Sequence, residues 1–418
     1  GVYISQNRGF NYRKVIDLPN IQFYSCKIDP NDPDRLYGGT QDNGTNRTTT
    51  GSVDDWRLLT GGDGFGVNID PRNSSVFYTQ VQRGILLRTE DDGANFRNIS
   101  FDPFGGGFNW NTPLKLDPFD NDMLYCGNQR LFRSLDRGEN WTPISPSLVN
   151  ANNPQGNLNF GTLTTIDVSP LDKNVIYVGT DDGNVWVSRD FGVNWNAIKA
   201  GIPNRWITRV TASPHQVGSV YLTVSGFRFG ESSAQVFRSD NYGTTWIPIG
   251  AGLPDIPVND IIVDPAITGL LYLGTDIGVY YSENNGNSWE LLGRNLPEAP
   301  VTDLDFHTDS RTLAAATYGR SLYTYNLNTL TSTENFAQAD QIKVYPNPSK
   351  GQISIETNTN KFKIDQVEVF DLNGKLVYQK RLQAVKKQEL NLNLTAGNYW
   401  LQVRSDQGVK TSQKLIIL

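Results

Sequence analysis

Short alternations of apolar and polar residues recur through most of the chain, separated by turn-forming residues. An apolar segment precedes a Pro-bearing turn, and a second apolar segment follows it, as in "IDP…YGGT" from Ile28 and "VDP…LYLGT" from Val263. A short loop, a third strand-like segment, a glycine-containing octapeptide and a fourth short segment come next. Alternation with period two, bounded by Pro, Gly and Asp, predicts strands joined by tight turns. Each unit therefore reads as four short antiparallel strands.

The octapeptide follows the pattern Ser/Thr-x-Asp/Asn-x-Gly-x-polar-aromatic, and we call it the box. Its copies are "SQNRGFNY" from Ser5, "TEDDGANF" from Thr89, "SLDRGENW" from Ser134, "SRDFGVNW" from Ser188, "SDNYGTTW" from Ser239 and "SENNGNSW" from Ser282. Successive starts differ by 84, 45, 54, 51 and 43 residues, and the eroded copy "SVDDW" at Ser52 lies inside the longest gap. Four-stranded repeats of about 40–50 residues are typical of β-propeller blades.

Seven units start at about Phe23, Val67, Leu114, Thr165, Val210, Ile261 and Thr302. The last unit has no box after it, whereas the stretch from Val2 to Ile16 has a box and no inner strands. The sequence predicts a seven-bladed β-propeller over residues 1–327 whose N-terminal strands close the last blade, because closure removes exposed sheet edges. Alternatively, these strands end an upstream blade.

A second domain is predicted after the repeats. Residues 328–341 are polar, lack periodicity and read as a linker. Residues 342–418 contain 12 Lys+Arg and 6 Asp+Glu, which leaves 25 of the 37 basic and 37 of the 43 acidic residues to the first 341 positions. About seven alternating segments follow, with a hairpin signal at Asn373-Gly374. We expect a small Ig-like β-sandwich.

Composition agrees with an all-β protein, because the chain has 39 Gly, 9 Trp, 18 Tyr and 19 Phe. The net charge of −6 argues against nucleic acid as a partner. No apolar run is long enough to cross a bilayer. The first residue is not Met, so we expect a processed or truncated product.

Cys26 and Cys126 are expected to be buried free thiols. The acidic stretches "DPNDPD" and "DPFDND" could hold Ca²⁺, but they lack EF-hand spacing and serve equally well as turns, so no metal site and no cofactor is expected.

The repeated box resembles the Asp-box, or BNR repeat. That repeat occurs in sialidases, sortilin-type receptors, xyloglucanase-type glycoside hydrolases and a photosystem assembly factor family. The resemblance covers roughly residues 1–327 and implies the fold. It does not select a function, because both enzymes and receptors share the repeat.

The tail resembles the type A sorting domain of the type 9 secretion system of Bacteroidota. The resemblance rests on "VYPNPSKG", "VEVFDLNGKLV", "LTAGNYWLQV" and the terminal "KLIIL". It implies that the export signal includes Tyr345, Pro346, Asn347, Pro348, Asp371, Gly374, Gly397, Tyr399, Lys414, Leu415, Ile416, Ile417 and Leu418. It also implies docking on an outer-membrane shuttle β-barrel and the translocon, export to the cell surface or medium, and cleavage by a sortase-like peptidase. Cleavage is expected in the linker near Phe336 to Gln341.

The box carboxylates invite a catalytic interpretation, and the repeat argues against it. One copy per blade at an outer turn cannot converge on a single substrate, and half of the copies have Asn. The side chains of Asn7, Asp91, Asp136, Asp190, Asn241 and Asn284 are therefore predicted to hold turns by accepting backbone N–H bonds.

A functional site is expected in the loops around one end of the channel. The loops between second and third strands carry Asp42, Arg83, Arg130, Asp181, Arg228, Asp276 and Arg320, and the loops that enter the first strands carry Asp63, Trp110, Arg205 and Trp206. Indoles stack on sugar rings and guanidinium groups bind carboxylates. We therefore expect the propeller to bind an extracellular glycan or protein.

The alternative is a glycoside hydrolase in which Asp42 and Asp63 flank the scissile bond, because such enzymes need two carboxyl groups about 5–10 Å apart. No Ser/His/Asp or Cys/His set supports an esterase or protease. The binding interpretation is favoured over catalysis.

Overall fold

The protein is almost entirely β-structure in the computed structural model, which describes residues 2–15, 20–102, 107–150, 161–293, 296–329, 342–357, 363–371, 375–406 and 410–418. It divides into two compact units, Gly1–Asn326 and Leu327–Leu418. Within the described ranges the only helical segments are two short 3-10 turns, η1 (Phe227–Phe229) and η2 (Leu327–Thr329). The predicted all-β fold class is confirmed.

The first unit begins with a hairpin of β1 (Tyr3–Ile4) and β2 (Arg13–Lys14). In the described residues of this unit seven sheets follow, each hydrogen-bonded in chain order. The first three contain β3 (Phe23–Asp29), β4 (Asp32–Thr40), β5 (Gly44–Thr48) and β6 (Arg57–Thr60); β7 (Gly64–Ile69), β8 (Phe77–Val81), β9 (Ile85–Thr89) and β10 (Arg97–Asn98); and β11 (Leu114–Leu116), β12 (Leu124–Gly127), β13 (Leu131–Ser134) and β14 (Thr142–Pro143).

The next four sheets repeat this order. They contain β15 (Leu163–Val168), β16 (Ile176–Thr180), β17 (Val185–Ser188) and β18 (Asn196–Ala197); β19 (Trp206–Ala212), β20 (Val220–Ser225), β21 (Gln235–Ser239) and β22 (Ile247–Pro248); β23 (Val258–Val263), β24 (Leu271–Thr275), β25 (Gly278–Ser282) and β26 (Glu290–Leu291); and β27 (Val301–His307), β28 (Thr312–Thr317) and β29 (Ser321–Asn326).

The first strands of the sheets form a closed ring. β3, β7, β11, β15, β19, β23 and β27 lie against one another in turn, and β27 lies against β3. Threonines link the neighbours: the Thr208 hydroxyl donates to the Val258 carbonyl at 3.0 Å, and the Thr302 hydroxyl donates to the Phe23 carbonyl at 2.9 Å. Radial sheets around a channel define a β-propeller.

The N-terminal segment does not complete the seventh sheet in the described part of the chain, which corrects the expected closure of the last blade. β1 and β2 pair with each other, and the Val15 N–H donates to the Val2 carbonyl at 2.8 Å. The reason lies in the order of the repeat. The box always joins a third strand to a fourth, so β1, which precedes the box from Ser5, corresponds to a third strand. The last sheet already has its third strand, β29, and therefore has no place for β1.

The box tryptophans connect their own sheet to the one before it. The Trp289 indole N–H donates to the Ile249 carbonyl at 2.7 Å, and Trp246 donates in the same way to Ile198 at 2.6 Å. The box glycine lies on the same isoleucine: a Cβ on Gly286, at φ +85°, would stand 2.8 Å from Ile249 Cβ. Only glycine fits both the backbone angle and this contact.

The second unit has two sheets around a single core. β30 (Ile342–Tyr345), β31 (Gln352–Thr357) and β34 (Lys387–Asn391) form one sheet, and β33 (Leu376–Val385), β32 (Ile364–Phe370), β35 (Gly397–Ser405) and β36 (Lys410–Ile417) form the other in that order. Buried side chains of both sheets share the core, among them Ile355, Val367 and Leu401. The Asn373-Gly374 hairpin signal lies outside the described residues.

Candidate ligand-binding site

Antiparallel pairing brings the two predicted sets of loops to one end of the propeller. Asp42, Arg83, Arg130, Asp181, Arg228, Asp276 and Arg320 follow second strands, and Asp63, Trp110, Arg205 and Trp206 precede or begin first strands. We call this end the mouth. The fold therefore brings the predicted loop residues to the same end of the propeller, where they differ in burial and in bonding partners.

A cavity of about 450 Å³ opens at the mouth. Its side chains include Asn109, Asn111, Trp206, Phe227, Arg228, Asn259, Asp276 and Tyr318. Trp206, Arg228 and Asp276 were predicted from the sequence. The asparagines, Phe227 and Tyr318 were missed, because loop position alone does not distinguish them from ordinary turn residues.

The cavity wall combines aromatic faces with amides. The Arg228 guanidinium lies 4.1 Å from the centre of the Trp206 ring, and Phe227 on η1 is 67% exposed. The Asn259 amide donates to the Asp276 carboxylate at 2.9 Å. This wall therefore offers exposed ring surface beside hydrogen-bonding groups.

A second aromatic group lies on the first two sheets. The Tyr24 ring stacks on Phe65 with 4.9 Å between ring centres, and it lies 6.0 Å from Tyr318. Burial, followed by the negative charge of Asp63, raises the pKa of Tyr24 to about 12. The phenol therefore stays neutral and can donate a hydrogen bond.

Trp110 belongs to a neighbouring hollow at the same end. It is 36% exposed, and the Arg83 guanidinium lies 5.2 Å from its ring centre. Both side chains line a depression of about 510 Å³ together with Phe101 and Phe108. The predicted pair therefore lies beside the mouth cavity rather than within its wall.

The two candidate catalytic carboxylates differ in exposure. Asp42 is exposed at φ 58°, whereas Asp63 is buried. The Asp42 backbone N–H donates to Asp63 Oδ1 at 2.6 Å, and the Asp63 N–H donates to the Gln82 side chain at 3.0 Å. Asp63 thus holds the turn that carries Asp42.

The remaining predicted residues have different roles. Asp181 is fully buried, and its carboxylate accepts the Thr162 N–H at 2.9 Å, so it joins two loops rather than facing solvent. Arg205 pairs with Glu231 through two bonds of 2.9 and 2.5 Å. Arg130 and Arg320 are exposed.

Below the mouth, the channel contains charges that the sequence analysis did not single out. Arg209 binds Asp260 at 2.6 Å and also binds Asp303, while Lys27 pairs with Asp305 at 2.7 Å. Burial raises the pKa of Asp303 to about 8. These carboxylates also accept backbone N–H groups of the next sheet, as Asp303 does from Cys26 at 3.0 Å. They therefore fasten the ring.

The box side chains lie at the outer rim, away from the mouth. In the box from Ser134, Asp136 accepts the serine hydroxyl at 2.8 Å and the Asn140 N–H at 2.9 Å, and the Gly138 N–H donates to the serine at 2.8 Å. Equivalent bonds surround Asn7, Asp91, Asp190, Asn241 and Asn284. Asparagine oxygens make the same turn as carboxylates.

In the second unit, the opening motif of the tail is bound to its last strand. Asn347 accepts the Ile416 N–H at 2.9 Å and donates to the Lys414 carbonyl at 2.5 Å. Leu415 and Ile417 are buried, and so is Tyr399, while Tyr345, Pro346, Pro348 and Leu418 are exposed. Gly374 and the expected cleavage segment Phe336 to Gln341 lie outside the described residues.

The model of the family described as the secretion system C-terminal sorting domain matches residues 343–418. None of the helices in the described ranges has the length and apolar character needed to span a membrane.

Curated relatives match parts of the chain. A xyloglucanase of Hypocrea jecorina is 27% identical over 227 residues, which are 45% of this chain and 26% of that protein. Sortilin of Danio rerio is 25% identical over 237 residues, 52% of this chain and 26% of that protein. The chain thus spans about a quarter of the length of these relatives.

Solved structures share the fold. A GH74 enzyme of Niastella koreensis superimposes with a TM-score of 0.60 at 15% identity, covering 96% of this chain and 74% of that chain. YCF48 of Cyanidioschyzon merolae gives a TM-score of 0.54 at 12% identity, covering 75% of this chain and 98% of that chain. These likenesses support the propeller fold.

Proposed function

Because this Asp-box propeller protein carries a type 9 secretion sorting domain and is exported across the outer membrane to the cell surface or medium, we propose that its propeller binds a neutral glycan there. The observation that carries the proposal is the wall of the mouth cavity. Trp206, Phe227 and Tyr318 present ring surface beside amide and carboxylate groups.

The chemistry of the wall favours an uncharged polyol over an ionic ligand. Sugar rings stack their C–H faces on aromatic rings, and amides exchange hydrogen bonds with hydroxyl groups. Asp276 is the carboxylate of this wall and Arg228 its guanidinium, so their formal charges cancel. A neutral polysaccharide therefore suits the site better than an acidic one.

Xyloglucan is the first ligand to test, because several of the curated relatives are named xyloglucanases. We expect purified protein to bind xyloglucan oligosaccharides in calorimetry. Loss of one stacking contact costs about 1 kcal/mol, so Trp206→Ala should weaken binding by roughly fivefold or more. Phe119→Ala is the matched control, because Phe119 is 51% exposed in a turn at the opposite end of the propeller. Equal affinities of Trp206→Ala and wild type would refute the assignment.

The second candidate is a glycoside hydrolase that uses Asp42 and Asp63. The names of the curated relatives favour it, whereas the buried turn-holding position of Asp63 does not. Release of reducing ends from xyloglucan is the discriminating measurement. Turnover that disappears in Asp42→Asn and persists in Trp206→Phe would establish the hydrolase in place of the pure binding protein.

A further inference from the structure

The outward face of the four-stranded sheet in the sorting domain has an ordered pattern that its core does not explain. Strand register places Leu376, Phe370, Trp400 and Lys414 side by side across β33, β32, β35 and β36. Their neighbours Val369, Leu401 and Leu415 are buried in the core, so this row faces outward. Trp400 is 44% exposed and Leu376 42%.

Two further rows cross the same face. A polar middle row lies two residues along the strands from the apolar row, and a cationic row lies two residues beyond the middle row. Gln366 pairs in register with Arg381 on one side and Arg404 on the other. In the middle row, Glu368 accepts the amides of Gln379 at 2.8 Å and Gln366 at 2.9 Å. The face thus grades from apolar, through amides, to positive charge.

Among the described residues of the domain, the two guanidinium groups have no acidic partner. Six Asp and Glu residues fall in 342–418, and all six belong to the described residues. None of them makes an ion pair with Arg381 or Arg404 in the described part of the chain. Exposed arginine and tryptophan side chains on one face are the residue types enriched where proteins meet.

The size of the face indicates a transient contact. With four strands about 4.8 Å apart and five residues of about 3.4 Å along each strand, the face has an area of roughly 200–300 Å². A stable interface buries about 800 Å² on each partner, so this patch is too small for a permanent dimer. A contact area of this size is sufficient for brief recognition during export.

We propose that this outward face is a recognition surface for a protein of the export machinery. The partner offers an apolar pocket for Trp400 and carboxylates for Arg381 and Arg404. The outward face does not include Leu415 and Ile417 of the terminal strand, because these two side chains lie in the core. The sorting domain thereby supplies a solvent-facing contact while its terminal residues complete the fold.

The test uses the full chain in a type 9-competent host and measures the exported fraction against the periplasmic fraction. Trp400→Glu and the double variant Arg381→Glu/Arg404→Glu should each lower export at least tenfold. Trp400→Phe keeps the apolar row and should stay within twofold of wild type. Lys343→Glu is the charge control, because Lys343 is exposed on β30 of the other sheet. Melting of each purified variant separates recognition from misfolding, and if Trp400→Glu fails to fold, the double variant tests the same face.

Export within twofold of wild type for the two disruptive variants would overturn the proposal, and so would an equal loss in Lys343→Glu. Vesicles containing lipopolysaccharide distinguish a membrane from a protein partner. Binding to them that requires Trp400, with export unchanged, assigns the face to lipid instead. Concentration-dependent self-association that requires Trp400, with export unchanged, assigns it to a second copy. Either result contradicts the proposal.

Discussion

Removing the indole N–H of Trp289 tests how neighbouring sheets are joined. This side chain is 8% exposed, and its N–H bonds the Ile249 carbonyl of the preceding sheet at 2.7 Å. Trp289→Phe keeps an aromatic ring and leaves that carbonyl without its donor, which should lower the free energy of unfolding by about 1–3 kcal/mol. Trp289→Ala also opens a cavity and should lower it by about 3–5 kcal/mol.

The measurement is urea unfolding followed by tryptophan fluorescence, which reports mainly the propeller because eight of the 9 Trp lie before residue 327. Val193→Ala is the control: Val193 occupies a box, is 77% exposed and should change stability by less than about 0.5 kcal/mol. A Trp289→Phe midpoint equal to that of wild type, at an unchanged slope, would refute the reasoning. Xyloglucan affinity of the folded variant should not change, since the rim lies away from the mouth.

Four further outcomes follow from the same contacts. Asp136→Asn should keep the melting temperature, whereas Asp136→Ala loses the turn bonds and should lower stability by about 1 kcal/mol, with ligand binding unchanged in both. Hydrogen bonds from Asn95 hold the pKa of Asp91 at about 2. The contribution of the Asp91 carboxylate to the free energy of unfolding is therefore complete above the unfolded pKa of about 3.9 and is lost as the pH falls towards 2. Asp91→Asn should flatten this part of a stability-versus-pH curve. Gly243→Ala should cost about 1–3 kcal/mol in urea unfolding, because its Cβ would stand 2.4 Å from Ile198 Cδ1 at φ +80°. Cys26 and Cys126 are free and buried, as the sequence predicts, so a thiol reagent should label neither until urea unfolds the chain, and fast labelling of the native protein would contradict their burial.

The repeat made the sheets of the propeller predictable. Each box requires glycine at a left-handed position, and Gly138 at φ +87° meets it. Pro-bearing turns and alternating segments gave the strands between the boxes. The residue before that glycine is also left-handed, as Arg137 at φ 58° shows, and no residue preference at that position revealed it.

The mouth was predictable only in part, because ring closure decides which side chains meet. Tyr318 binds the Gln41 side chain although the two residues are 277 positions apart, and no spacing rule connects them. The channel carboxylates had a visible signal. Asp303 and Asp305 alternate in "VTDLDF" on a strand predicted to be innermost, where a polar face of period two indicates a channel wall.

The seam between β27 and β3 joins the ends of the ring without a shared strand. Two backbone amides of the first sheet, those of Cys26 and Ile28, are held by carboxylates of the last sheet at 3.0 and 2.7 Å. Parting the first and last sheets breaks these side-chain bonds and the isolated bridge between Gln22 and Tyr318, but no extended ladder of paired strands. Hydrogen exchange at these two amides therefore reports the opening of the ring directly, ahead of the unfolding of any sheet.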